Sequence, residues 1–220
     1  VDHELPKNDV SIKSRRFINS QLPKISAHVV PHDIVGSEWG LNNTYCIPYD
    51  IKVSVDNIKR KTVDLLVVGS DNVPSDNRYI REFVNSEANS VYVGLNGEYN
   101  NPYKSIVDMS ARMSESYITV ALQADHQPPI LPLLAMSNRS VVITNKTRWT
   151  SAIIQDGVNG YLFDSIENAK KMIRYLLSHK DTLRGIEKNA FEMLQPVANT
   201  NSQELWLKLI RTLAEKVYIR

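Results

Sequence analysis

One cysteine, Cys46, stands among 220 residues. No disulfide can close within such a chain, and a zinc site built on several cysteines is excluded. A lone thiol fits a reducing compartment, so the expected location is cytoplasmic. Aromatic residues make up only 8% of the chain, and no apolar run approaches the roughly 20 residues that a membrane span requires. Charge of one sign is also scarce: 26 Lys and Arg against 24 Asp and Glu leave a formal net charge of +2. That balance gives no electrostatic footprint for nucleic acid. The short basic clusters Lys13–Arg16 and Lys59–Lys61 read as solvated faces. The five histidines (His3, His28, His32, His126, His179) lack the spacing of a helical metal pair, and no metal is expected. There is no G-x-G-x-x-G, no G-x-x-x-x-G-K-[ST] and no G-x-S-x-G, which argues against a dinucleotide fingerprint, a P-loop and a serine-hydrolase elbow. The polar opening VDHELPKNDV is not a signal peptide, and without Met it reads as a processed start or a segment of something longer. Three N-x-[ST] triplets, at Asn42, Asn138 and Asn145, are read as chance matches.

What is present is an alternation. Residues 1–50 are heterogeneous, with a helix expected around Ile12–Leu22, a short strand at Ala27–Pro31, a helix or turn in DIVGSEWGLNN and a strand in TYCIPYDI. From Val63 the pattern becomes regular. VDLLVVG is a nearly continuous apolar run, as strands buried on both faces are. NRYIREFVNSE has helical spacing, SVYVGLNG is a strand, and YKSIVDMSARMSES a helix with Ile106, Met109 and Met113 on one side. YITVALQ and SVVITN are strands on either side of a helix in PPILPLLAMS, whose Leu131, Leu133, Leu134 and Met136 are expected to bury it against a sheet. TSAIIQDG reads as a helix with a glycine stop, GYLFDS as a strand, and Ser165 as the N-cap of IENAKKMIRYLLSH. Two more helices follow, in KDTLRGIEKNAFEML and NSQELWLKLIRTLAEKVYI. Repeated strand–helix units predict an α/β, Rossmann-like, doubly wound, mainly parallel sheet.

Open parallel sheets bind ligands beyond the carboxyl ends of their strands. This directs attention to Gly69–Asp71, Gly94–Gly97, Gln123–Gln127 and Thr144–Lys146. In LQADHQPPILPLL a strand ends, a polar loop follows, and a helix begins on proline, which suits a first turn. Free N–H groups and the dipole at such a start attract phosphate. Asp125, His126 and Gln127 stand at this mouth, with Asp125 as a helix cap and His126 as an exposed loop residue in the structural alternative.

The order of these segments resembles the nucleotide-binding, C-terminal half of GT-B glycosyltransferases, particularly the large retaining group that includes sucrose and glycogen synthases. The likeness rests on VDLLVVGSDNVPSDNRYIREF, VYVGLNG, SESYITVALQADHQPPILPLLAMSNRSVVITN and SAIIQDGVNGYLFDSIENAKKMIRYLL, the last being nearest to the family's I-x-D-G-x-N-G-x-L-F/V phrase. It implies a remnant or end of the acceptor-side domain over 1–50, a nucleotide-sugar-binding domain over 51–190, and a C-terminal helical segment over 191–220 that packs back on the fold. It implies transfer of a sugar from a nucleotide-sugar to an unknown acceptor, with the donor as a substrate and no cofactor. A partner chain could supply the remainder of the acceptor-side domain. The donor-binding positions it implies are Gly69, Ser70, Asp71, Arg78, Gly94, Asn96, Asp125, His126, Gln127 and Lys146, with no catalytic residue assigned. The chain departs from the pattern in its charges. Two glutamates eight apart are typical around the donor helix; here those positions hold His126 and Leu134, or Gln127 and Ala135. The family's Arg and Lys of the first loop fall on Ser70 and Asp76, with Arg78 close by. A degenerate module that only binds, as a scaffold or partner subunit, is the alternative these losses suggest. A third reading is a sugar-nucleotide epimerase of the same shape.

Overall fold

The computed structural model describes residues 28–30, 44–46, 60–69, 90–94, 106–123, 129–198 and 201–218. The chain divides into two compact units, Ile51–Ala198 and Val1–Asp50 with Asn199–Arg220. In the latter unit, β1 (His28–Val30) and β2 (Thr44–Cys46) form a parallel pair. Its α-helix Ser202–Tyr218 starts at Asn201, whose Oδ1 accepts from the Glu204 N–H at 3.2 Å.

The larger unit is built on a five-stranded sheet. Its strands are β3 (Val63–Gly69), β4 (Ser90–Gly94), β5 (Ser116–Leu122), β6 (Val141–Asn145) and β7 (Tyr161–Phe163), in the order β4-β3-β5-β6-β7 with every pairing parallel. Apolar residues fill both faces of the central strands, so both faces must be covered. One face carries Leu65, Val67, Ile118, Val120, Val141, Ile143 and Phe163. It packs against Ala169, Ile173 and Leu176 of a helix at Ile166–Ser178. The other carries Leu66, Val68, Ala121 and Val142, covered by Met109 and Met113 of α1 (Ile106–Ser114) and by Ala135 and Met136 of α2 (Ile130–Ser137). Between β6 and β7 lies α3 (Arg148–Ile153); the helix over 166–178 is then α4 and Lys180–Ala198 is α5. Leu183 and Ile186 of α5 join the first core and its Ala190 and Leu194 the second, so this helix crosses from one face to the other.

Several expectations hold in detail. β3 coincides with VDLLVVG, and Ser165 caps α4 by accepting the Asn168 N–H. Others need correction. Lys61, expected in a solvated face, is largely buried, while Arg60 beside it is exposed. On α2 the fully buried residues are Pro132, Ala135, Met136 and Ser137; Leu131, Leu133 and Leu134 only lean on the core. TSAIIQDG is not a helix stopped by glycine. The helix starts earlier, at Arg148, because Thr147 and Thr150 form a reciprocal capping box. It ends at Ile153 because Ile154 turns extended and the Oδ1 of Asn159 takes the Gln155 N–H at 2.8 Å. The helices expected around Ile12–Leu22, in DIVGSEWGLNN and in NRYIREFVNSE lie outside the described residues.

Candidate functional site at the carboxyl edge

The strand register places the carboxyl ends level. Gly69 pairs with Gly94 on one side and with Leu122 on the other. Ala121 pairs with Thr144, and Asn145 with Phe163, so the row continues across β6 and β7. The two strand-end glycines therefore sit side by side. Among the described residues, a Cβ on Gly69 would meet the Leu122 side chain, 3.2 Å from Cδ1. Backbone at this corner can approach a ligand closely. α2 follows β5 in the chain, and its N-cap Pro129 stands six residues after Gln123. Pro129 supplies no side-chain cap and the first turn holds no acid, so among the described residues no side chain caps the N–H groups of that turn.

The gap between the β5 and β6 ends is closed by one side chain. Asn145 accepts the Gln123 N–H on Oδ1 and donates from Nδ2 to the Gln123 carbonyl, each at 2.8 Å. Gln123 is buried. Asn145 is itself fixed: its carbonyl accepts the Thr150 hydroxyl at 2.8 Å, and the Lys146 N–H bonds the Phe163 carbonyl at 2.8 Å. Beyond it Lys146 and Arg148 are exposed cations at the start of α3. One strand position back, the buried Thr144 hydroxyl finds no hydrogen-bond partner. Among the described residues no group of three His, Cys, Asp or Glu gathers that could hold a metal ion, and no helix is long and apolar enough to cross a membrane.

Of the residues the sequence proposes for this site, Gly69, Gly94 and Lys146 are found at the carboxyl edge. Ser70, Asp71, Arg78, Asn96, Asp125, His126 and Gln127 lie outside the described residues. Asn145 and Gln123 were not singled out as site residues. Their pairing depends on strand register, which the sequence alone does not show.

The phrase QDGVNG lies at the opposite, amino edge. Asn159, 2% exposed, accepts from the Gln155 N–H and donates to the Ile153 carbonyl and the Met193 sulfur. Gly157 adopts φ +73°, a left-handed turn position suited to glycine. Asp156 accepts the Leu162 N–H at 2.8 Å. Asn159 and Asp156 are spent on the turn, which gives the phrase a structural role.

No family model matches the sequence, and no curated protein matches it. Solved structures do match the fold. TarM of S. aureus superposes with a TM-score of 0.70 at 15% identity, over 96% of this chain and 48% of its own. HepE of Anabaena, solved with UDP-glucose, gives 0.71 at 13% identity, over 97% of this chain and 70% of its own. A GtfA/B complex gives 0.65 at 10% identity, over 91% of this chain and 48% of its own. The chain thus spans about half the length of TarM and of the GtfA/B match. Its fold is that of the GT-B glycosyltransferases.

Proposed function

We propose that this chain is the donor-binding part of a glycosyltransferase that moves a sugar from a nucleotide-sugar to an acceptor not yet identified. The observation that carries the reading is the level carboxyl edge, where Gly69 and Gly94 stand together and beyond which α2 starts without a cap among the described residues. A diphosphate fits such a place, because helix N-terminal N–H groups and open backbone favour anions. HepE, a neighbour in fold, was solved in complex with UDP-glucose, which supports the nucleotide-sugar as the ligand class. In this reading Gly69, Ser70 and Asp71 approach the donor from β3, Gly94 and Asn96 from β4, and Asp125, His126 and Gln127 from the chain between β5 and α2. Transfer requires stabilisation of the departing diphosphate. Lys146, exposed one strand away, and Arg78 are the cations assigned to that task. The nucleotide-sugar is a substrate, and the reading assigns no cofactor. The acceptor side belongs to a partner chain or to further polypeptide, and the single cysteine favours the cytoplasm.

A second reading, a module that binds without turnover, has one observation in its favour. Leu134 and Ala135, at positions where a ribose-binding carboxylate is expected, are spent on packing: Ala135 is wholly buried and Leu134 leans on the same core. Calorimetric titration of the chain with UDP, GDP, ADP and their sugar conjugates tests both readings. Saturable binding of one nucleotide is expected. Hydrolysis of its conjugate then selects the transferase, and binding without hydrolysis, even with the acceptor side restored, selects the module. Binding of none would sink the donor site.

A further inference from the structure

β5 and β6 stop pairing through their main chains at Ala121 and Thr144. One residue further, an ordinary parallel pair splays, and a loop leaving β5 there would be free to choose its direction. Here the primary amide of Asn145 continues the ladder, with one acceptor for the Gln123 N–H and one donor for the Gln123 carbonyl. A primary amide carries its acceptor and its donor on separate atoms and so can satisfy both peptide groups at once. The residue that makes this bridge is anchored from the far side: the Thr150 hydroxyl holds its carbonyl, and Thr150 is locked with Thr147 in the capping box of α3. A line of hydrogen bonds therefore runs from the α3 cap through Asn145 to the Gln123 peptide that follows β5.

We propose that Asn145 is a positioning residue of the donor site, holding the Gln123 peptide so that the chain leaves β5 in the direction that donor binding needs. This deepens the donor-binding reading and rests on it. Asn145 touches no donor in this account; it acts through Gln123. The bridge is long-range in sequence and its bonds are partly shielded from water, so its loss is felt as misdirection of the edge rather than as loss of core.

The test uses the whole chain, the variants Asn145→Asp and Asn145→Leu, and whichever of UDP, GDP and ADP the wild type binds best. Asp keeps the acceptor for the Gln123 N–H but sets a carboxylate against the Gln123 carbonyl. Repulsion raises the pKa of such a group, and its protonated form regains a donor. Relative to wild type at the same pH, Asn145→Asp should lose about tenfold or more in nucleotide affinity near pH 8. It should recover most of that loss near pH 5 as the acid protonates. Asn145→Leu should bind weakly at both pH values with no recovery. A bystander amide would give variants with wild-type affinity at both pH values. A merely structural role would give an affinity loss that tracks the fall in melting temperature in both variants and at both pH values. Either result overturns the proposal. If Asn145→Asp does not fold near pH 8, Asn145→Leu still decides, since wild-type affinity in that variant removes the role. A wild type that binds none of the three overturns the donor reading itself; a wild type that binds and variants that bind equally overturn only the positioning role.

Discussion

At the amino edge of the sheet, the described side chains tie turns and helix ends to the core; at the carboxyl edge, the described strands end on two glycines, with one bridging asparagine and an exposed lysine beyond them. Below β3, β5 and β6, the Lys61 ammonium donates to the carbonyls of Ser116 and Arg139, each at 2.8 Å, and more distantly to that of Asn138. It thus caps the C-terminal end of α2. Arg139 stands in the left-handed region at φ 56°, unusual for a side chain with a Cβ. Its guanidinium lies 3.8 Å over Phe191 and pairs with Glu187 at 3.6 Å, which ties that turn to α5. Asn159 and Asn189 do the same for the turn before β7. At the carboxyl edge the described chain offers two adjacent glycines, an uncapped helix start and an exposed lysine, with Asn145 as the one side chain that spans two strands. The difference teaches where to look for function: a site needs groups the fold has not already consumed.

The comparison can be broken by substitutions that separate stability from binding. The largest effect on folding is expected at Gly160. A Cβ there would lie 2.7 Å from Val142 Cγ1 and 3.0 Å from the Val142 carbonyl. Gly160→Ala should cost about 3 kcal/mol in chemical unfolding, with nucleotide affinity unchanged in the fraction that folds. An unfolding midpoint equal to wild type would show that β6 and the turn can part at no cost.

Lys61→Met should come next. Removing the ammonium leaves buried carbonyls without their donor and should cost about 1–2 kcal/mol near neutral pH. The effect carries a pH signature. Burial lowers the Lys61 pKa from 10.5 to about 8, partly opposed by Glu187 and reinforced by Arg139. Between those values the unfolded chain holds the proton that the folded chain has released, so wild-type stability rises with pH across that window. Below about pH 8 both states are charged and the full burial cost is present. The gap between wild type and Lys61→Met should therefore widen from pH 8 to pH 10, by at most roughly 3 kcal/mol. Parallel stability curves would mean that the lysine is not buried as described. Tyr161, whose pKa is raised chiefly by burial, is common to both proteins and cancels in the difference.

The smallest effect on stability belongs to the other edge. Gly69→Ala brings a Cβ within 3.2 Å of a movable Leu122 methyl and should cost under about 1 kcal/mol. If the donor approaches this backbone, its affinity should fall about tenfold or more. Unaltered affinity in Gly69→Ala would move the donor away from β3.

The sheet was legible because β3, β5 and β6 are apolar runs buried on both faces, a pattern that needs no tertiary knowledge. The limits of α3 were not, although Thr147 and Thr150 stand three apart and could have been read as a capping box. Gly157 is the more conspicuous stop in the sequence, but it serves the next turn. Lys61 was misjudged because a basic cluster reveals nothing of the carbonyls that gather around one member. At the candidate site, strand-end glycines could be read from position alone. The Asn145 bridge could not, since it links residues 22 apart that only the register brings together.

The crossing of α5 has a consequence for assembly. Its Leu183 and Ile186 finish one half of the interior, and its Ala190 and Leu194 finish the other. Neither half is sealed until this helix docks, although every strand of the sheet precedes it in the chain. During synthesis the sheet must wait, incompletely covered on both sides, for the stretch from Lys180 to Ala198 to emerge. A nascent chain stalled just before Lys180 would hold all its strands and still bind chaperones that recognise bare apolar surface.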